Sequence, residues 1–148
     1  ISCMRNEGHR HKAADLDSSE HDAYTISEDS RLEDSMCTRD ALRAMMSTVL
    51  EKCTLMFGKQ LDAVILYGSY ARGDFDDESD VDVMIRVNMD KQELARYRWE
   101  ISGLASDLSL QHNVTLSLHL QDQETFERFK HVLPYFMNVQ KEGMRIGA

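Results

Sequence analysis

Residues 61–87, LDAVILYGSYARGDFDDESDVDVMIRV, decide how the rest of the chain is read. The stretch opens on a short apolar run with β-branched residues, Leu61 to Gly68, the pattern of a buried strand. It closes on VDVMIRV (81–87), where Val81, Val83, Ile85 and Val87 alternate with Asp82, Met84 and Arg86, a second strand with one polar-leaning face. Gly68 and Ser69 end the first strand, and glycine lets a backbone come close to a ligand. A short helix beginning after Ser69 would aim free N–H groups at the same spot and so cradle phosphate. The Ser69 hydroxyl adds a donor, and Arg72 adds a cation to balance anionic oxygens. Asp80 and Asp82 stand two apart on a strand, so both carboxylates project from one face. Parallel carboxylates beside a phosphate cradle repel unless a divalent cation lies between them. Mg²⁺ accepts one or two carboxylates plus phosphate oxygens, and can polarise a phosphoryl group and activate a hydroxyl. A lone Asp-x-Asp would read more simply as solvated acids on a strand. Gly-Ser ten residues upstream turns the reading toward chemistry.

Outward from this stretch, Thr38 caps a helix whose apolar positions Leu42, Met45, Met46, Val49, Leu50, Cys53, Met56 and Phe57 keep a 3.6 spacing up to Gly58. Leu94, Tyr97, Ile101, Leu104 and Leu108 mark one face of a long helix starting near Asp90. VTLSLHL (114–120) alternates strictly, so it reads as a third strand. Asp122 or Thr125 begins another helix holding Phe126 and Phe129, and Pro134 breaks the chain before a last short helix ending at Gly143. The order α-β-turn-β-α-β-α-α predicts an α+β fold: a small mixed β-sheet with helices packed on one face.

A chain of 148 residues suits a single domain. Residues 1–35 carry nine acids against four bases, with sparse and aperiodic apolar residues. Such a segment buries too little surface to offset its ordering entropy, so 1–36 is expected to be a disordered acidic leader and 37–148 the folded domain. His9, His11 and His21 fall in that leader and read as a solvated tail rather than metal ligands. No run approaches the roughly 20 apolar residues of a membrane span, and no signal peptide is evident. Seventeen Lys and Arg against 26 Asp and Glu give −9, with no overall basic footprint for nucleic acid. Cys3, Cys37 and Cys53 are odd in number and widely spaced, which fits a reducing cytoplasm better than a disulfide scaffold or a thiolate zinc site. Asp74, Asp76, Asp77 and Glu78 read as a solvated acidic loop, and Tyr97 and Trp99 as core or partner-facing positions.

Gly68-Ser69, ten residues and Asp80-x-Asp82 resemble the motif of the nucleotidyltransferase superfamily of DNA polymerase beta. The Gly-Ser-x-Ala-Arg-Gly and Ser-Asp-x-Asp forms look like its minimal nucleotidyltransferase (MNT) branch. The similarity runs from about Thr38 to the end and includes TFERFKHVLPYFMNVQKEG (125–143). It implies a two-metal, Mg²⁺-dependent transfer of a nucleoside monophosphate, AMP from ATP foremost, to a protein or small-molecule hydroxyl, with pyrophosphate leaving. By carry-over, Gly68 and Ser69 hold the triphosphate, Arg72 neighbours the phosphates, and Asp80 and Asp82 bind the metals. Some members of the branch are antitoxins that add AMP to a HEPN-domain toxin, which implies that class of partner. The family also implies a third carboxylate on a later strand. Val114–Leu120 offers Thr115, Ser117 and His119 instead, and Asp122 lies just past it. An imidazole, with its ordinary pKa near ~6.5, makes His119 a candidate base; the plainer reading is a sheet-surface residue. This departure leaves a second function open: a non-catalytic nucleotide-binding or toxin-masking module.

Overall fold

The computed structural model describes residues 38–148. The leader expected over 1–36, with its three histidines, lies outside the described residues.

Helix α1 spans Arg39–Phe57. The Thr38 hydroxyl oxygen accepts the Ala41 N–H at 3.1 Å, satisfying one of the donors that a helix start leaves open. Ala41, Met45, Met46, Val49, Cys53 and Phe57 form its buried stripe, and Gly58 ends it at φ +55°. Burial pushes the Cys53 thiol up to about 12. A single 3₁₀ turn leads into β1, Leu61–Tyr67. The one-turn helix α2, Ser69–Arg72, and a loop then return the chain to β2, Val81–Val87, antiparallel to β1.

The long helix expected from Asp90 is divided. Asp90 caps α3, Lys91–Ala95, while α4 occupies Arg98–His112. Tyr97, at the break, packs its ring 4.9 Å from that of Phe57, whereas Trp99 is 87% exposed. Asn113 closes α4 in the left-handed conformation. Strand β3, Leu116–Asp122, runs parallel to β2. Helices α5, Gln123–Phe129, and α6, Pro134–Glu142, follow, with Pro134 in the first turn of α6, where its missing N–H costs nothing. Strand β4, Met144–Gly147, pairs antiparallel with β1, completing a mixed sheet in the order β3-β2-β1-β4. Four residues without alternation gave no sequence signal for β4; its partner strand makes it one.

The expected mixed sheet with helices is present, and the single helical layer holds for α1, α3 and α4. Their side chains cover Val64, Leu66, Val81, Val83, Ile85, Val87 and Leu116. Helices α5 and α6 add a second layer on the opposite face, where Phe126, Phe136 and Val139 meet Ala63, Ile65, Tyr67 and Met84. The physical reason lies in β1, which is apolar on both faces and must be covered twice. The Arg86 guanidinium lies 4.4 Å from the centre of the Phe126 ring and pairs with Asp62, so that layer includes one paired charge. No helix among the described residues is long and apolar enough to cross a membrane.

Candidate active site

The antiparallel register of β1 and β2 sets Tyr67 opposite Asp82, so Gly68 emerges beside the Asp82 carboxylate. Gly68 is required twice over. Its φ is +79°, and a Cβ there would stand 2.8 Å from Asp82 Oδ2. Past it the chain winds one turn: the N–H groups of Ala71 and Arg72 donate to the Gly68 carbonyl at 3.1 and 3.0 Å. Gly73, at φ +87°, ends that turn. Tyr70, buried, stacks on Phe75 at 4.2 Å and anchors the acidic loop. Within the loop, Asp76 Oδ1 accepts the Glu78 N–H and the Ser79 hydroxyl, so Asp76 shapes the return to β2.

Asp82 lies on the sheet face shared with Met84 and Arg86, while Asp80 stands in the loop just before β2, close enough to act on the Asp82 charge. Asp80 is exposed and Asp82 half-buried. Burial raises the Asp82 carboxyl above its usual range; nearby His119 draws it down and Asp80 pushes it up further. Neither carboxylate has a hydrogen-bond or ion-pair partner among the described residues. Two neighbouring acids without hydrogen-bond partners, one partly desolvated, fit a hard divalent cation that takes oxygen donors. No group of three or more His, Cys, Asp or Glu among the described residues converges as a metal site.

Parallel pairing sets Ser117 of β3 opposite Asp82 and His119 opposite Met84. His119 is exposed, with its ring 6.2 Å from Tyr67 and 6.5 Å from Tyr135. Asp122 does not join them. It pairs with Val87 at the far end of the sheet, five residues or roughly 16 Å along the strand, and its carboxylate caps α5 by accepting the Thr125 N–H at 2.8 Å.

Three residues at this end of the sheet carried no site signal in the sequence. The hydroxyls of Tyr67 and Tyr135 lie 2.8 Å apart, and burial raises both phenols. Glu142, the last residue of α6, accepts the Gly68 N–H at 3.2 Å and the Arg72 guanidinium at 3.0 and 3.1 Å. Arg72 also donates from Nε to Asp74 at 3.1 Å. The expected phosphate neighbour thus holds two carboxylates. Glu142 is 70 positions from Arg72, and only the packing of α6 shows its place.

A Gly-Ser turn closed against the Asp82 carboxylate, at the end of a mixed four-stranded sheet carrying helices, characterises this α+β domain. The family to which this chain belongs is the nucleotidyltransferase domain, which matches residues 46–142. Two proteins of Methanocaldococcus jannaschii, each named "Putative protein adenylyltransferase", are similar. One is 47% identical over 58 residues, which is 39% of this chain and 57% of its own length. The other is 31% identical over 84 residues, 57% of this chain and 76% of its own. The match therefore spans little more than half of the first relative. A solved complex of a tri-AMPylated Shewanella oneidensis HEPN toxin with an MNT antitoxin matches 72% of this chain and 72% of that chain at 17% identity, with a TM-score of 0.39.

Proposed function

We propose that this chain transfers AMP from ATP to a hydroxyl of a protein acceptor, with pyrophosphate leaving. Asp80 and Asp82 would hold Mg²⁺, which supplies charge neutralisation at the phosphoryl group. The Gly68 N–H, the Ser69 hydroxyl and the Arg72 guanidinium bind and orient the triphosphate on the opposite side of the Gly68 backbone. His119, on the neighbouring strand, accepts the proton of the incoming hydroxyl. One observation carries the reading: a residue without a side chain, in a conformation that favours glycine, is set against the half-buried Asp82. Adenylyl transfer is preferred over other nucleotides because the two similar Methanocaldococcus jannaschii proteins are named for it. A HEPN-domain toxin is the acceptor class that the resemblance of the Gly-Ser and Asp-x-Asp stretch favours, and the widely spaced cysteines favour a cytoplasmic setting.

The test is incubation of the full chain with ATP labelled at the α-phosphate, Mg²⁺ and a HEPN-domain toxin from an adjacent gene. Label is expected on the toxin with the wild type and on nothing with D80N or D82N. Label that stays on free ATP, while an active nucleotidyltransferase modifies its own acceptor in parallel, would reject the proposal.

A second reading has its own observation. The site face of β3 presents Ser117, His119 and Gln121 and no carboxylate, which favours a chain that binds rather than transfers. In that case D80N with D82N leaves neutralisation of the toxin unchanged, whereas transfer requires the pair.

A further inference from the structure

The groups read as the triphosphate seat hold an anion supplied by the chain itself. Glu142 Oε1 takes the Gly68 N–H at 3.2 Å, and both its oxygens take Arg72 Nη1, at 3.0 and 3.1 Å. One carboxylate therefore makes the contacts that a phosphate oxygen would make, with a main-chain donor and a guanidinium. The placement is built into the fold. Glu142 is followed by Gly143, where a Cβ would stand 2.3 Å from the Val139 carbonyl oxygen and 2.6 Å from Ile65 Cγ2. No side chain fits there, so α6 ends hard against β1. The next residues are then fixed by pairing of Met144 with Leu66 and by the Arg145 guanidinium, which donates to the Asp62 carbonyl at 2.8 Å.

The backbone of Glu142 is thus held while its carboxylate remains reachable. The side chain is 21% exposed and Arg72 45%, so water can take over each partner when the pair opens. An ion pair of this exposure is screened by water and holds weakly. A single carboxylate cannot match a triphosphate, which brings several charged oxygens to the same donors, but it competes with weaker anions.

We propose that Glu142 is the resident occupant of the phosphate seat, a specificity-determining residue that every incoming phosphate must displace. This rests on the reading that Gly68 and Arg72 receive the triphosphate. It makes the bare seat selective for ligands with several phosphate oxygens and tunes nucleotide affinity downward. Its effect falls on binding and leaves the reacting groups at Asp80 and Asp82 untouched.

The experiment is calorimetric titration of the full chain, in Mg²⁺ buffer, with ATP, tripolyphosphate and adenosine. E142Q keeps the shape and an acceptor for Gly68 but loses the charge. It is expected to bind ATP and tripolyphosphate about three- to tenfold more tightly than the wild type and adenosine equally, with a melting temperature close to that of the wild type. R72A is expected to weaken ATP, and in the R72A background the gain from E142Q should disappear, since both act through one seat. D74N removes an equal charge beside Arg72 but leaves the Gly68 N–H engaged, so its gain should be smaller. If E142Q fails to fold, E142D, whose shorter carboxylate retracts from the seat, gives the same comparison.

The inference is overturned if E142Q binds ATP no more tightly than the wild type while R72A still weakens it, or if D74N matches the gain of E142Q. If R72A leaves ATP affinity unchanged, the triphosphate seat itself lies elsewhere, and the functional reading falls together with the inference.

Discussion

Toward α1 and α4, strand β2 presents Val81, Val83, Ile85 and Val87, all fully buried. Toward α5 and α6 the same strand presents Asp82, Met84 and Arg86, and the cover changes character along its length. At the Arg86 end Phe126 stacks on a guanidinium that is paired with Asp62. At the Asp82 end Tyr67, Tyr135 and His119 gather near a carboxylate without a hydrogen-bond or ion-pair partner among the described residues, and Glu142 holds the neighbouring Gly68 N–H. One face is packed along its whole length, and the other gives up packing at one end, where the Asp82 carboxylate stays unpaired among the described residues. In the function proposed above, stability and chemistry divide between the faces of one strand.

Substitutions that separate the two faces test this division. The largest effect is expected at Asp82. D82N should lower transfer about a thousandfold or more, equivalent to over ~4 kcal/mol in the barrier, as measured by label transferred per unit time. The same variant should be more stable than the wild type at neutral pH in metal-free buffer. Because burial raises the Asp82 carboxyl above 3.8, the folded chain binds more protons than the unfolded chain between the ordinary and the raised value. Stability contributed by this group thus falls as pH rises through that window, and D82N removes the fall. Thermal melts of both proteins from acid to neutral pH give the difference; a D82N protein that is less stable throughout would contradict it.

Packing comes next. Met45→Ala beneath the helical face and Phe126→Ala on the other face should each cost about 3–4 kcal/mol in urea unfolding. M45A should keep the activity of its folded fraction. If M45A instead lost transfer while fully folded, the separation of the faces would not hold. A smaller effect is expected at His119: H119Q should slow transfer about a hundredfold with little change in melting temperature, the usual size for a positioned proton acceptor. Unchanged transfer would make His119 a surface residue of β3 and return weight to a binding role. The smallest effect belongs to Y135F, which removes one hydroxyl of the Tyr67 pair. Its cost in unfolding free energy should be about 0.5–1.5 kcal/mol, and a larger loss would show that the pair holds α6 on the sheet.

Much of the fold was legible locally. Thr38, the stripe from Leu42 to Phe57 and Gly58 state a helix with both its ends, because capping and 3.6 periodicity act within one segment. The alternation of β2 and β3 was legible for the same reason, although β3 runs to Asp122 rather than ending at Leu120. Gly68 was legible as a close approach, and the structure supplies what it approaches, the carboxylate of Asp82. The break at Arg96–Tyr97 was hidden, since Leu94 and Ile101 keep their apolar spacing across it. The second helical layer was hidden too, because a continuous apolar strand shows that both faces are buried without showing which helix covers which.

What the sequence determined by itself was the set of groups and their local setting: a glycine-led turn, two aspartates two positions apart at the start of a strand, and segments whose periodicity admits one kind of element. Such features depend on neighbours a few residues away and are written into the order of residues. Only the tertiary structure decided that the end of α6 brings Glu142 onto Gly68 and Arg72, that Asp122 serves a helix instead of the site, and that four residues after Gly143 form the outer strand. Those outcomes depend on contacts across scores of residues, where packing and hydrogen-bond satisfaction of the whole sheet select one arrangement among many that the local pattern allows.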